Sequence, residues 1–134
     1  MPLPIRGVYE TVLYAADVAA AATFYRDVVG LRLIEPPDDL SAAFRLPEGG
    51  VMLLFDPERS AAPGRPVPSH GATGDGHIAF AVEAGGLAAF MRALREAGVP
   101  IEREIQWELG GRSLYVRDPA GNSVELVEGE IWPS

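Results

Sequence analysis

Gly110-Gly111-Arg112-Ser113-Leu114-Tyr115-Val116-Arg117-Asp118-Pro119-Ala120-Gly121-Asn122-Ser123-Val124-Glu125 reads as a strand, a tight turn and a second strand. Arg112 to Arg117 alternate as a half-buried strand does, with Leu114 and Val116 on one face and Ser113 and Tyr115 on the other. Asp118 to Asn122 carries the turn: proline presets φ, glycine permits positive φ, and Asp and Asn bond their own backbone. The chain re-enters a strand over Ser123 to Val127. There Glu125 shares a face with Ser123 and Val127, while Val124 and Leu126 point the other way. A carboxylate in such a setting stands at a wet edge, is paired, or binds a cation.

The same strand patterning recurs upstream. Val8 to Ala15 reads as a strand, Asp17 as a helix N-cap, and Val18 to Val29 as a helix. Its buried stripe is Val18, Ala21, Ala22, Tyr25 and Val29, and Gly30 stops it. Leu31 to Glu35, Ser41 to Leu46 and Val51 to Asp56 follow as strands. Residues 57–75 are rich in Pro, Gly, Ser and Ala without periodicity, as in a linker or functional loop. His77 to Val82 is a strand, and Gly86 to Ala97 a helix that buries Leu87, Phe90, Met91 and Leu94. Ile101 to Trp107 is a strand before the opening hairpin. The order is βαβββ twice. Glu10 and His77 are 77 − 10 = 67 residues apart, half of the 134. Such repeats are stacked to bury their apolar faces. The spacing predicts one α+β domain over 1–134, with module 1 about 7–56, connecting loop 57–75 and module 2 about 76–128. Two βαβββ modules then form a curved mixed sheet around a concave cavity, with the helices outside.

Composition narrows the function. The net charge of −8 argues against a nucleic-acid partner or an anionic membrane, both of which want a basic surface. The absence of cysteine excludes disulfides, thiolate ligands and thiol nucleophiles. No run approaches the roughly 18 apolar residues of a membrane span, and Met1-Pro2-Leu3-Pro4 lacks a signal-peptide pattern. The expectation is a soluble, cytoplasmic protein.

Thr11, Leu13, Met52, Leu54, Ile78, Phe80, Val124 and Leu126 suit the helix side of the sheets. Glu10, Val12, Tyr14, Leu53, Phe55, His77, Ala79, Glu125 and Val127 take the opposite face. Three residues of metal-ligating type thus share the concave side. The repeat makes 10 and 53 equivalent to 77 and 125, and the odd member is Leu53.

Three patches resemble the vicinal oxygen chelate superfamily, which contains glyoxalases, bleomycin-resistance proteins and extradiol dioxygenases. They are Ala21 to Leu31, Gly76 to Val82 and Tyr115 to Leu126. The resemblance implies a divalent metal held by Glu10, His77 and Glu125, with Glu10 where many members have histidine. Leu53 departs from glyoxalase I, where glutamate is usual. Two carboxylates alone on a small concave surface repel, and a divalent cation cancels that charge. Manganese, iron(II), nickel, zinc or magnesium suits this donor set.

Open coordination positions then bind a small-molecule substrate through two neighbouring oxygens, in a lyase, isomerase or dioxygenase reaction. Glu10 and Glu125 are the catalytic candidates, because either also moves a proton. Arg45, Phe55, His70 and Tyr115 are substrate candidates; Arg117 and Trp107 are weaker ones, with Trp107 read as packing. The family also implies a homodimer. The rival reading is a metal-free protein that sequesters a small molecule, as bleomycin-resistance proteins do. A fosfomycin-type thiol transferase needs a potassium loop and a cationic pocket that the chain does not display.

Overall fold

The computed structural model describes residues 3–134, so Met1 and Pro2 of the expected domain and N-terminal pattern lie outside the described residues. The chain forms two compact units, the first ending at Thr73 and the second spanning Gly74–Ser134. In the first, β1 (Glu10–Tyr14) leads to α1 (Val18–Phe24) and then to β2 (Arg32–Leu33), β3 (Ser41–Arg45) and β4 (Val51–Phe55). In the second, β5 (His77–Val82) leads to α3 (Gly86–Glu96), then β6 (Arg103–Gln106), β7 (Arg112–Arg117) and β8 (Ser123–Glu128). Each is therefore a βαβββ module with a mixed four-stranded sheet. The strand orders are β1-β4-β3-β2 and β5-β8-β7-β6.

In both modules the first and last strands pair in parallel, and the remaining pairs are antiparallel. Alternation then divides each sheet into two faces. Leu13, Ala42, Phe44, Met52 and Leu54 are buried on one face of the first sheet, where α1 packs against β3 and β4. Leu114, Val116, Val124 and Leu126 are buried in the second sheet, where α3 packs on β8. The opposite face carries Glu10, Tyr14, Arg45 and Phe55 in the first sheet and His77, Ser113, Tyr115 and Glu125 in the second.

The register verifies the internal repeat residue by residue. Val12 pairs with Leu53 and Ala79 with Glu125. Leu53 is thus the counterpart of Glu125, and Glu10, two residues before Val12, that of His77. Ala43 lies opposite Leu53 as Tyr115 lies opposite Glu125.

Four segments differ from expectation. The helix expected over 18–29 is α-helical to Phe24 and continues as a π-helical turn over Tyr25–Val29. That wider turn accompanies burial of the adjacent rings of Phe24 and Tyr25, which meet edge to face with centroids 5.2 Å apart. Tyr25 in turn packs on Phe44. The expected strands over 31–35 and 101–107 are shorter. Residues 57–75 are not structureless: α2 (Pro57–Ala61) opens them. Asp56 caps it by accepting the N–H groups of Glu58 and Arg59, and Pro57 at the first turn sacrifices no intrahelical bond. Among the described residues, no helix is long and apolar enough to cross a membrane.

Phe44 has no exposed surface at the centre of module 1. Phe44→Ala is expected to cost about 3–5 kcal/mol of stability, read from the urea midpoint at unchanged slope.

Candidate functional site

The opening hairpin builds the chemistry. Asp118 accepts hydrogen bonds from the backbone of Ala120 and Asn122 and from the Asn122 side chain, each at 2.9 Å. Gly121 adopts φ +91°, which closes the turn. Asn122 then reaches out of the hairpin: its Oδ1 accepts the Gly76 N–H at 2.7 Å, and Ser123 N–H donates to Gly76 O at 2.9 Å. The turn thereby clamps the residue before His77 against the start of β8. His77 and Glu125 are brought together by that pairing.

Glu125 is 5% exposed, whereas more than half of the His77 side chain is exposed. A carboxylate withdrawn from water needs partners for its charge. Its Oε2 accepts the Ser113 hydroxyl at 2.6 Å, and its Oε1 stands 3.2 Å from His77 Nε2. Nδ1 of His77 lies 3.1 Å from Ser123 O, a carbonyl that only accepts. Nδ1 therefore carries the proton, which leaves a lone pair on Nε2 in the neutral ring. In that neutral ring the lone pair faces a carboxylate oxygen, whereas a doubly protonated ring donates to it as an ion pair. Two acceptors at 3.2 Å repel unless a second proton or a cation lies between them.

A metal fits this spacing. With metal–nitrogen and metal–oxygen bonds of about 2.0–2.2 Å, adjacent ligand atoms stand about 3 Å apart. The Nδ1 contact to a backbone carbonyl is also how protein metal sites orient a ligating imidazole.

Tyr115 lies directly opposite Glu125 in the ladder. Its ring stacks beside His77, with centroids 6.4 Å apart and planes 19° apart. Burial pushes the Tyr115 phenol above its ordinary value and the Glu125 carboxylate pushes it further, against smaller opposing effects of Ser113 and Arg103. Tyr115 therefore stays protonated and acts as a donor toward the carboxylate side of the site.

The other candidates stand in module 1. Glu10 is exposed at the first position of β1. Arg45 is exposed at the end of β3, and both Glu10 and Arg45 pair with Val51, so β4 runs between them. Phe55 and His70 meet edge to face at 4.8 Å, and Tyr14 Oη is 2.8 Å from His70 Nδ1. Arg65 lies over the Phe55 ring at 5.6 Å. Sequence reasoning misses Arg65, because nothing periodic indicates where loop 62–73 returns to the sheet. Among the described residues, no three His, Cys, Asp or Glu side chains form a group suited to a metal.

Arg117 is a brace: it binds Glu102 at 3.1 Å and Gly121 O at 3.0 Å. Trp107 is more than packing, since its indole N–H donates to Ser113 at 2.8 Å. A cavity of about 450 Å³ is lined by Asp17, Asp38, Asp39, Asp56 and Arg59, none of which is among these candidates. Asp17, Asp38 and Asp56 already accept backbone N–H groups at helix and turn starts.

Residues 7–126 match the family model described as the Glyoxalase/Bleomycin resistance protein/Dioxygenase superfamily. A lactoylglutathione lyase of Haemophilus influenzae is 29% identical over 136 residues, spanning 95% of this chain and 96% of that one. The metallothiol transferase FosB of Shouchella clausii is 44% identical over 57 residues, 41% of this chain and 39% of its own length. The crystal structure of a lactoylglutathione lyase from Agrobacterium tumefaciens has a TM-score of 0.90 and 37% identity. That similarity covers 98% of this chain and 100% of that one.

Two outcomes follow from this geometry. Asn122→Ala removes the Gly76 clamp from a buried position and is expected to cost about 1–3 kcal/mol in urea unfolding. In an alkaline titration followed by tyrosinate absorbance, Tyr115 ionises above the ordinary tyrosine range, and Tyr115→Phe removes that late component.

Proposed function

Because the chain belongs to the glyoxalase/bleomycin resistance protein/dioxygenase superfamily, we propose that it is a divalent-metal-dependent lyase or isomerase. Its substrate is a small molecule with two neighbouring oxygens. The observation that carries this reading is the facing of His77 Nε2 and Glu125 Oε1 at 3.2 Å with Nδ1 already committed to Ser123 O. A cation between the two atoms, in place of a second proton, makes both of them ligands. The full-length relatives named lactoylglutathione lyases support the lyase class.

Glu10 is the third proposed ligand. The proposal includes a homodimer, as membership of the superfamily suggests. When bound, the ion supplies Lewis acidity toward the two substrate oxygens. The chain's own residues divide the remaining work. Glu125, held by Ser113, stays fixed as a ligand; Glu10, exposed and at a strand start, is the carboxylate free to carry a proton. Tyr115 holds a proton beside Glu125 and orients the substrate. Phe55 and His70, with Arg45 on the same sheet, provide contacts for the body of the substrate. Leu53 supplies no donor, which leaves coordination positions open.

Elemental mass spectrometry on protein purified without chelator tests this reading. We expect about one manganese, iron, nickel, zinc or magnesium per chain, consistent with a site of three protein ligands. Glu125→Gln, His77→Ala and Glu10→Gln should each lose it while remaining folded. Turnover assays then begin with lactoylglutathione and continue to dicarbonyl, catechol and epoxide compounds. Absence of metal, with no thermal shift on adding these ions, overturns the reading. It would favour metal-free sequestration of a small molecule, for which the Tyr14–His70–Phe55 cluster is the supporting observation.

A further inference from the structure

The partners of Glu125 are ordered in one direction only. An indole N–H donates and never accepts. Trp107 Nε1 therefore gives its proton to Ser113 Oγ at 2.8 Å. Ser113 has one proton of its own, and it points to Glu125 Oε2 at 2.6 Å. That length falls in the range of hydroxyl-to-carboxylate bonds, which are shorter and stronger than neutral ones. Ser113 is 1% exposed, so water does not compete for its proton. Trp107 is held in turn by the β6–β7 hairpin: its N–H donates to Gly111 O at 2.8 Å and its carbonyl accepts from Gly110 at 3.0 Å. Gly111 donates to Glu130 O at 3.0 Å, and the carbonyl of Glu130 occupies the space that a Cβ at Gly111 would need. The C-terminal tail thus fixes the hairpin, the hairpin fixes the indole, and the indole fixes the hydroxyl.

We propose that Trp107 and Ser113 form a one-way hydrogen-bond relay that positions Glu125 for metal binding. The relay occupies Oε2, so that Oε1 is the oxygen that faces a cation beside His77 Nε2. This rests on the reading of Glu125 as a metal ligand. Both residues are positioning residues, since neither touches the ion. A carboxylate without this restraint turns about its last bond and presents either oxygen. The relay removes that freedom before the ion arrives.

The test uses the full chain with zinc(II) and manganese(II), titrated in competition with a chromophoric chelator. Partners that orient a metal ligand are typically worth about 10- to 100-fold in affinity, and that loss is expected for both Ser113→Ala and Trp107→Phe. Trp107→Phe keeps an aromatic ring in place and guards against simple misfolding of the serine variant. Ser113→Thr, which retains the hydroxyl, should recover most of the affinity. A second readout needs no metal: the indole N–H resonance of Trp107 should move in Ser113→Ala and in Glu125→Gln. Trp132→Phe, at an exposed position, assigns that resonance.

Wild-type affinity in both Ser113→Ala and Trp107→Phe, with metal lost in Glu125→Gln, would sink the relay and leave the metal reading standing. Wild-type affinity in Glu125→Gln would overturn the metal reading and the relay's role together. An indole resonance unmoved by Ser113→Ala would show that the relay is not formed in solution.

Discussion

The parallel pairing of the first and last strand of each module is the constraint on which the structure depends. Parallel neighbours cannot be joined by a tight turn, so the chain must cross over one face of the sheet. In both modules that crossover contains a helix, α1 or α3. The helix claims one face for packing, and alternation along the strands does the rest. Phe44, Met52 and Leu54 in module 1, and Leu114, Val124 and Leu126 in module 2, fill the covered face. Their neighbours in sequence have nowhere to point except the other side. The candidate site residues sit there because the core has taken every alternate position.

Glu125 shows how this division is used. It lies in the middle of β8, between Val124 and Leu126, and is nearly as buried as they are. A buried charge is costly, and it persists only when polar groups are arranged around it beforehand. Ser113 and Tyr115 come from the neighbouring strand β7, and His77 from a strand on the other side. The site is assembled across three adjacent strands, so its geometry is as rigid as the sheet. Asn122 links the turn beyond β7 to the strand bearing His77, which ties local turn chemistry to site geometry. The module that forms the hairpin also sets the position of the imidazole.

Much of this was legible in the residues themselves. Alternation in Arg112–Arg117 and Ser123–Val127, with Asp-Pro-Ala-Gly-Asn between them, specifies a hairpin by local chemistry alone. The half-chain spacing of Glu10 and His77 exposes the repeat, and the ladder register agrees with it. Features that rest on contacts distant in sequence were not legible. Ser113 looks like any polar strand residue until Trp107 is seen to reach it across the hairpin. His70 stands out in the sequence as a substrate candidate, but its partners Tyr14 and Phe55 show only where the loop folds back onto them. The π-helical turn leaves almost no trace over five residues. The Asp56-Pro57 cap was readable in principle, but the surrounding loop composition masked it.

The register match between the modules has a consequence for how such a protein diverges after duplication. Ser41 in module 1 is the counterpart of Ser113, yet Leu53 stands in place of Glu125 and Ala43 in place of Tyr115. Conversely, Tyr14 and Phe55 of module 1 correspond to Ala81 and Val127. The core positions of both copies hold large apolar side chains, while the open faces differ at these positions. Two copies of one scaffold can therefore present different open faces. Neither has to alter the core that holds it up.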